Sequence, residues 1–341
     1  MIIVFLKFAV CAAVILYFGK RVARYGDAIA EKTGLSGLWI GVILVSIATS
    51  LPELFTGVGS TVFVNAPDLS VGNLFGANSY NLVNIVTLDL LHKGGPLLSA
   101  VSTGQLLTAC FSLIPLSIAA VGIFLTPHLP DISIANVSIY SILIFAAYLF
   151  LVRMIFKYEQ KQKKISDELH KEEDIVFKYD KISLNTAILR YAIAAIFIAG
   201  AGIWLAYLGE EMARLMDLGQ NFVGSLFLGF ATTLPEITVS IAALRLGAKE
   251  LAVANMVGSN LFNITIIFIN DLLYRKSPIF ETLSQHHIFT AFIVILMTAI
   301  VASAIIMKPR KKTRIGLSGY AIALIIVFVI GAYINFNLGN K

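Results

Sequence analysis

The sequence predicts an all-α integral membrane protein of ten transmembrane helices, arranged as two inverted five-helix repeats. Three observations carry that expectation. Over 341 residues the composition is 58% hydrophobic and 13% charged, where an ordinary soluble domain has roughly 25% charged residues. The apolar residues gather into ten runs, most of them near the ~20 residues a helix needs to cross a bilayer. A polar motif inside the second and third runs returns inside the seventh and eighth. The composition excludes a soluble enzyme, a disulfide scaffold and a disordered chain.

Taken in order, the runs fall at about 2–18, 38–61, 69–88, 97–125, 132–152, 191–208, 221–244, 251–270, 286–307 and 315–337. The first has neither a basic leader nor a small-residue cleavage site, so it reads as a retained span. The fourth is long enough to tilt or kink at Pro115. Residues 153–190 are the one polar stretch, mixing Lys and Glu. They read as a cytoplasmic loop, mobile or carrying a short interfacial helix, between a first repeat at 1–152 and a second at 191–341. Cys11 and Cys110 lie in separate apolar runs and read as packing residues.

Charge fixes an orientation. Basic residues cluster as four between Lys20 and Lys32, Lys93 alone, nine between Arg153 and Arg190, the pair Arg245 and Lys249, and five between Lys308 and Arg314. Those clusters hold 21 of the 26 Lys and Arg, and ten spans with both termini outside put them all on one side. The positive-inside rule makes that side the cytoplasm, so the net charge of +6 speaks of orientation in a cell (inner) membrane and not of nucleic acid.

The repeat is explicit. Ala48-Thr-Ser-Leu-Pro-Glu53, then Gly72-Asn-Leu-Phe-Gly-Ala-Asn-Ser-Tyr-Asn81 and Asp89, is matched by Ala231-Thr-Thr-Leu-Pro-Glu236, then Ala254-Asn-Met-Val-Gly-Ser-Asn-Leu-Phe-Asn263 and Asp271. Glu53 maps to Glu236 at an offset of 183 and Asn81 to Asn263 at 182. Five spans separate the copies, an odd number, so the second enters the membrane from the opposite side. Inverted repeats of this kind hold a binding site near the bilayer midplane.

Ser46, Thr49, Ser50 and Glu53 share one helix face, and Gly229, Thr232, Thr233 and Glu236 repeat it. Pro52 and Pro235 cannot donate to the carbonyls of Ala48 and Ala231, and the kink loosens those of Thr49 and Thr232. Carboxylate, hydroxyl and carbonyl oxygens together suit a hard cation such as calcium or sodium. A single membrane Ser or Thr usually bonds its own backbone or a neighbouring helix, and Asn73 and Asn255 read as interhelical glue. Two glutamates in the bilayer are different, because each ionised carboxylate there costs at least ~2.5 kcal/mol. Asp89 and Asp271 read as helix-end residues, and His286 with His287 as a solvated edge. Nucleophile elbows, paired-histidine metal motifs and phosphate loops do not occur, so no enzyme and no cofactor is expected.

The paired A-T-[ST]-L-P-E and G-[AS]-N-x-x-N segments resemble the two alpha-repeats of the calcium/cation antiporter superfamily, the prokaryotic sodium/calcium exchangers in particular. The resemblance implies secondary antiport of Ca2+ against Na+ by alternating access, with Ca2+/H+ exchange and a gated cation channel as the rival readings. It implies that Glu53 and Glu236 hold calcium with the carbonyls of Thr49 and Thr232. Ser50, Thr233, Ser259, Asn81 and Asn263 would complete the site or its sodium-binding flanks, next to Ser46, Gly229 and Ala77. Three departures stand out. Ala77 occupies a position where the family often has serine, and Asn263 one where many members have aspartate. Glu53 to Ala77 spans 24 positions against 23 for Glu236 to Ser259.

Overall fold

Apolar runs of this length satisfy their backbone polar groups inside one segment, as helices, and that is how the chain folds. The computed structural model describes residues 1–33, 45–129, 132–169, 182–314 and 316–339. Ten helical spans follow in order: Ile2–Lys32, residues 45–64, Pro67–Leu91, Thr103–Leu125, Ile139–Leu169, Leu184–Met216, residues 220–245, Lys249–Leu273, His286–Met307 and Gly319–Gly339. Eight of them are long and apolar enough to cross a bilayer unaided. The exceptions are the second, which is broken near its middle, and the third, which carries Asp68, Asn73, Asn78, Asn81 and Asp89. The start of the second run, 38–44, and residues 170–181 of the central polar stretch lie outside the described residues.

Several boundaries differ from the hydropathy reading. The first span continues past Phe18 to Lys32, with the Arg21 guanidinium 3.5 Å above the Tyr17 ring centre. The fifth begins at Ile139, after a two-residue hairpin of Ser133–Ile134 with Val137–Ser138, and stays helical to Leu169. The fourth run divides into a 3-10 turn, Leu97–Ala100, and a helix that contains Pro115.

Layering follows polarity. Spans three and eight are the innermost, and their Asn and Ser side chains are buried among the other helices. Spans one and six, related by the repeat, lie along each other on one flank, with Phe18 stacked on Phe197 at 4.3 Å and the Cys11 thiol donating to Ala201 O. Ile2, Leu6, Ile196, Phe150 and Val329 face outward, as lipid-facing residues should.

Glycine sets the closest approach. A Cβ on Gly72 would stand 2.7 Å from Asn221 O, and one on Gly76 would overlap the Ser225 backbone, so spans three and seven touch main chain to main chain. The segment after Glu53, where the surplus residue falls, ends in a π-helical turn, Gly59–Val64, whereas the segment after Glu236 is α-helix to Arg245 and the π turn of that span, Gly224–Leu228, precedes its glutamate. A π turn holds one extra residue without breaking the helix, so the third span returns to register. Asp89 and Asp271 anchor helix ends, as expected of them. Asp89 accepts the Leu97 N–H at 2.9 Å and Asp271 the Ile279 N–H at 2.7 Å, one pair per half.

Overpacking at the closest crossing is the test of this arrangement. Gly76→Val should lower the thermal unfolding midpoint of the detergent-solubilised protein, by the equivalent of about 1–3 kcal/mol. Gly200→Ala, where a Cβ meets nothing within 4 Å, should leave it unchanged.

Candidate cation site

The second and seventh spans break where the motif prolines fall. Pro52 and Pro235 occupy the first turn of the segments Leu51–Val58 and Leu234–Arg245, and Ser50 and Thr233 precede those segments with ψ of 9° and 1°. Backbone bonds across the breaks run from Ser50 N–H to Ser46 O and Leu54 N–H to Ser50 O, and from Thr233 N–H to Gly229 O and Ile237 N–H to Thr233 O. Among the described residues none of those crossing bonds ends on the carbonyls of Ala48, Thr49, Ala231 or Thr232.

Each break carries its glutamate inward. Glu53 and Glu236 are fully buried, and Ser50, one turn before Glu53, bonds across to Glu236. Glu53 lies alongside Thr232, whose hydroxyl turns instead to Asn73 Oδ1 at 3.1 Å; Glu236 lies alongside Thr49, whose hydroxyl donates to Ser46 O at 3.1 Å and Asn255 Oδ1 at 3.4 Å. Each acid thus faces the motif threonine of the other half. Ser50 Oγ donates to Glu236 Oε1 at 3.2 Å, and the remaining three carboxylate oxygens have no partner among the described residues. Asn73 and Asn255 act as the glue expected of them, with Asn255 Nδ2 donating to Glu236 O and Ser240 Oγ.

Beside the acids, spans three and eight are clasped by four asparagines in a two-fold pattern. Asn78 Nδ2 donates to Asn260 O at 3.1 Å and Asn260 Nδ2 to Asn78 O at 3.2 Å. Asn81 Nδ2 donates to Asn260 Oδ1 at 3.0 Å and Asn263 Nδ2 to Asn78 Oδ1 at 3.1 Å. The backbone carbonyls can only accept, so the amides of Asn78 and Asn260 have one possible orientation, and Asn81 and Asn263 must then point their Oδ1 atoms away from the clasp. Both of those oxygens are buried and unpartnered. Asn78 and Asn260 were visible in the repeated motif, but nothing in one dimension singled them out as the clasp.

The flanks differ. On one, Ser259 Oγ donates to Ser46 O at 3.5 Å and the buried Ser46 hydroxyl has no partner. On the other, Gly229 packs on the backbone of Gly76 and Ala77 with no side-chain oxygen between them, and the Thr233 hydroxyl bonds back to Gly229 O at 2.8 Å. The solvated histidine edge is corrected. His287 is fully buried, with its Nε2 2.9 Å from Asp68 Oδ1, while its neighbour His286 is half-buried. Adjacent helix residues point about 100° apart, so one of the pair can face the core.

Two inverted helical halves with an acidic pair between them define a membrane transporter and not an enzyme. The family model described as sodium/calcium exchanger protein matches residues 3–158 and 186–337, and the chain belongs to that family of cation and calcium exchangers. Inner membrane protein YrbG of Escherichia coli (strain K12) is 27% identical over 253 residues, 74% of each chain. Two solved structures share the fold. The H+/Ca2+ exchanger CAX covers 99% of this chain and 85% of its own at a TM-score of 0.66 and 13% identity. The sodium-calcium exchanger NCX_Mj covers 98% and 99% at 0.58 and 19% identity.

The clasp makes a symmetric prediction. Asn260→Ala strands Asn81 Nδ2 and removes the second donor to Asn78 O, and Asn78→Ala does the same to Asn263 Nδ2 and Asn260 O, at about 1–3 kcal/mol for each buried amide left unpaired. Both variants should lower the thermal midpoint by similar amounts, and a drop in only one would break the proposed equivalence of the halves.

Proposed function

We propose that this chain exchanges Ca2+ for Na+ by alternating access at one shared site near the bilayer midplane. The observation that carries the reading is the surplus of buried acceptors: three carboxylate oxygens and two amide oxygens without a donor among the described residues. Buried acceptors in native proteins are almost always paired, and buried carboxylates are paired with a cation or coordinate a metal. With the loosened carbonyls of Thr49 and Thr232, the oxygens of Glu53 and Glu236 suit calcium, which takes six to eight oxygen ligands. Ser46, Ser50 and Ser259 on one flank, Thr233 on the other, and Asn81 and Asn263 beside them are the proposed ligands of the monovalent ions or the completing shell of the calcium.

Charge supplies the coupling. With both glutamates ionised the empty site carries two negative charges, and the effective penalty for burying even one ion is several kcal/mol. An unloaded carrier therefore stays put, while one calcium or a set of monovalent cations neutralises the site and permits the inward–outward change. Both loads need the same two carboxylates, so they compete, and competition at a site open alternately to two sides is exchange. In this reading residues 1–152 and 191–341 are the two halves, 153–190 connects them on the cytoplasmic side of the inner membrane, and both termini lie outside. An inward sodium gradient then expels calcium. A second reading, Ca2+/H+ exchange, is favoured by the flank at Gly229 and Ala77, whose own hydroxyl, that of Thr233, is already bonded to Gly229 O.

The test is calcium-45 flux in proteoliposomes under sodium, potassium and proton gradients imposed in turn. Sodium should drive the largest flux, and Glu53→Gln or Glu236→Gln should reduce it by at least about a hundredfold, equivalent to ~2.7 kcal/mol of lost ion stabilisation. Unchanged flux in either variant sinks the site assignment. Flux that needs no counter-ion indicates a channel, and flux that follows only the proton gradient indicates the second reading.

A further inference from the structure

Outside the central site one cavity combines charge with an unsatisfied buried group. It has a volume of about 60 Å³ and lies among spans two, four, five and eight, at the face where Ile139–Leu169 ends and Leu184–Met216 begins, here called the loop-side face. At about 10–15 Å³ of such space per water it holds several water molecules, room enough for a hydrated ion. Glu159, Glu250 and Gln105 line one end and Ser46 and Gly258 the other, with walls such as Tyr148 and Leu261. Ser46 is 2% exposed, its hydroxyl has no partner, and its carbonyl accepts from Thr49 and Ser259, so the deep end of the cavity abuts the central site.

We propose that Glu159 and Glu250 form a loading station that captures the hydrated divalent cation at the loop-side face and feeds it along this cavity, past Ser46, to the central carboxylates. The proposal rests on the antiport reading for the identity of its cargo. Among the described residues Glu250 is held by neutral donors, the Ser102 N–H at 2.7 Å and Oγ at 3.2 Å and the Gln105 amide at 3.5 Å. Glu159 takes part in no hydrogen bond or ion pair among the described residues and shares the mouth with Glu250. Two carboxylates at the rim of an apolar-walled cleft focus a negative potential there and concentrate cations.

The inverted repeat supplies an internal control. At the offset of 182, Ser102, Gln105 and Glu250 correspond to Ser284, His287 and Asp68, which make the same clip at the opposite face: Asp68 Oδ1 accepts from Ser284 N–H at 2.7 Å and pairs with His287. The clip itself is therefore structural in both halves. What differs is the second acid. The counterpart cavity, about 30 Å³ and lined by Gly76, Thr290, Phe328 and Asn335 among others, has no carboxylate among its described lining residues. Glu159 and Glu250 both line the loop-side cavity, whereas among the described residues neither Asp68 nor a second acid lines the other, so the station loads cation from one side only.

The experiment measures calcium-45 uptake by the full chain in proteoliposomes of determined orientation, with calcium offered at the loop-side face or at the opposite one. Glu159→Gln should raise the half-saturating calcium at the loop-side face about fivefold, with Glu159→Lys larger, and added salt should shrink the difference. Maximal rate and half-saturation at the opposite face should not change. Equal half-saturation in wild type and both variants overturns the station, and so does an equal rise at both faces, which would mark a structural defect. If the wild type shows no exchange, the antiport reading fails, and Mn2+ binding followed by electron paramagnetic resonance still decides the station. Weak Mn2+ binding that persists in the Glu53→Gln/Glu236→Gln protein and disappears when Glu159→Gln is added supports it; binding indifferent to Glu159→Gln overturns it.

Discussion

Two carboxylates buried between helices, with three of their four oxygens lacking a protein donor, are the constraint to which the rest of the fold answers. No arrangement of helices in lipid keeps such a pair for packing alone, since neighbouring like charges repel and neither can be solvated by hydrocarbon. The surroundings leave the acids short of donors. Ser50 donates to Glu236, but the hydroxyls of Thr232 and Thr49 donate to Asn73 and Asn255, so the asparagines that brace the motif also engage donors the acids would otherwise have. The prolines act in the same direction, because each withdraws a backbone N–H at the level of its acid. Donors are removed and acceptors exposed at one depth, by residues that recur in both halves.

Keeping that cluster in a membrane requires that every other polar group near it be satisfied, and the asparagine clasp does this with two copies of one pattern. Its four hydrogen bonds use all four Nδ2 groups, and the leftover amide oxygens of Asn81 and Asn263 face away from it. Spans three and eight can therefore be polar without meeting lipid, while the apolar spans around them take the lipid-facing positions. Glycine–backbone contacts at Gly72 and Gly76 allow the seventh span near enough for its acid to reach the pair.

How much of this was legible follows from what one dimension encodes. The repeat, its inversion and the two acids were readable because they depend on residue order and on the parity of the span count. The surplus residue after Glu53 could be counted, but its location as the Gly59–Val64 π turn depends on how the helix packs. Asn78 and Asn260 were plain as letters, yet their role needs the knowledge that the two helices cross at those residues. His287 escaped because its partner Asp68 is 219 positions away. The fifth helix outran its apolar run because hydropathy reports lipid contact, whereas Lys, Glu and Gln beyond Arg153 are good helix formers in water.

Departures from symmetry carry the remaining information about what the site exchanges. On the flank of Ser46 and Ser259, Glu236 already receives Ser50 and two further hydroxyls stand close to the same backbone. On the flank of Gly229 and Ala77, Glu53 has both oxygens unpartnered and the Thr233 hydroxyl is taken by its own helix. A sodium ion needs several oxygens at once, and the first flank offers them. A proton needs only one, and Glu53 offers that. Within the antiport reading the first flank thus supports sodium and the second supports a proton as the counter-ion, and the balance between the two readings turns on how readily Thr233 can release its backbone bond to face the acid.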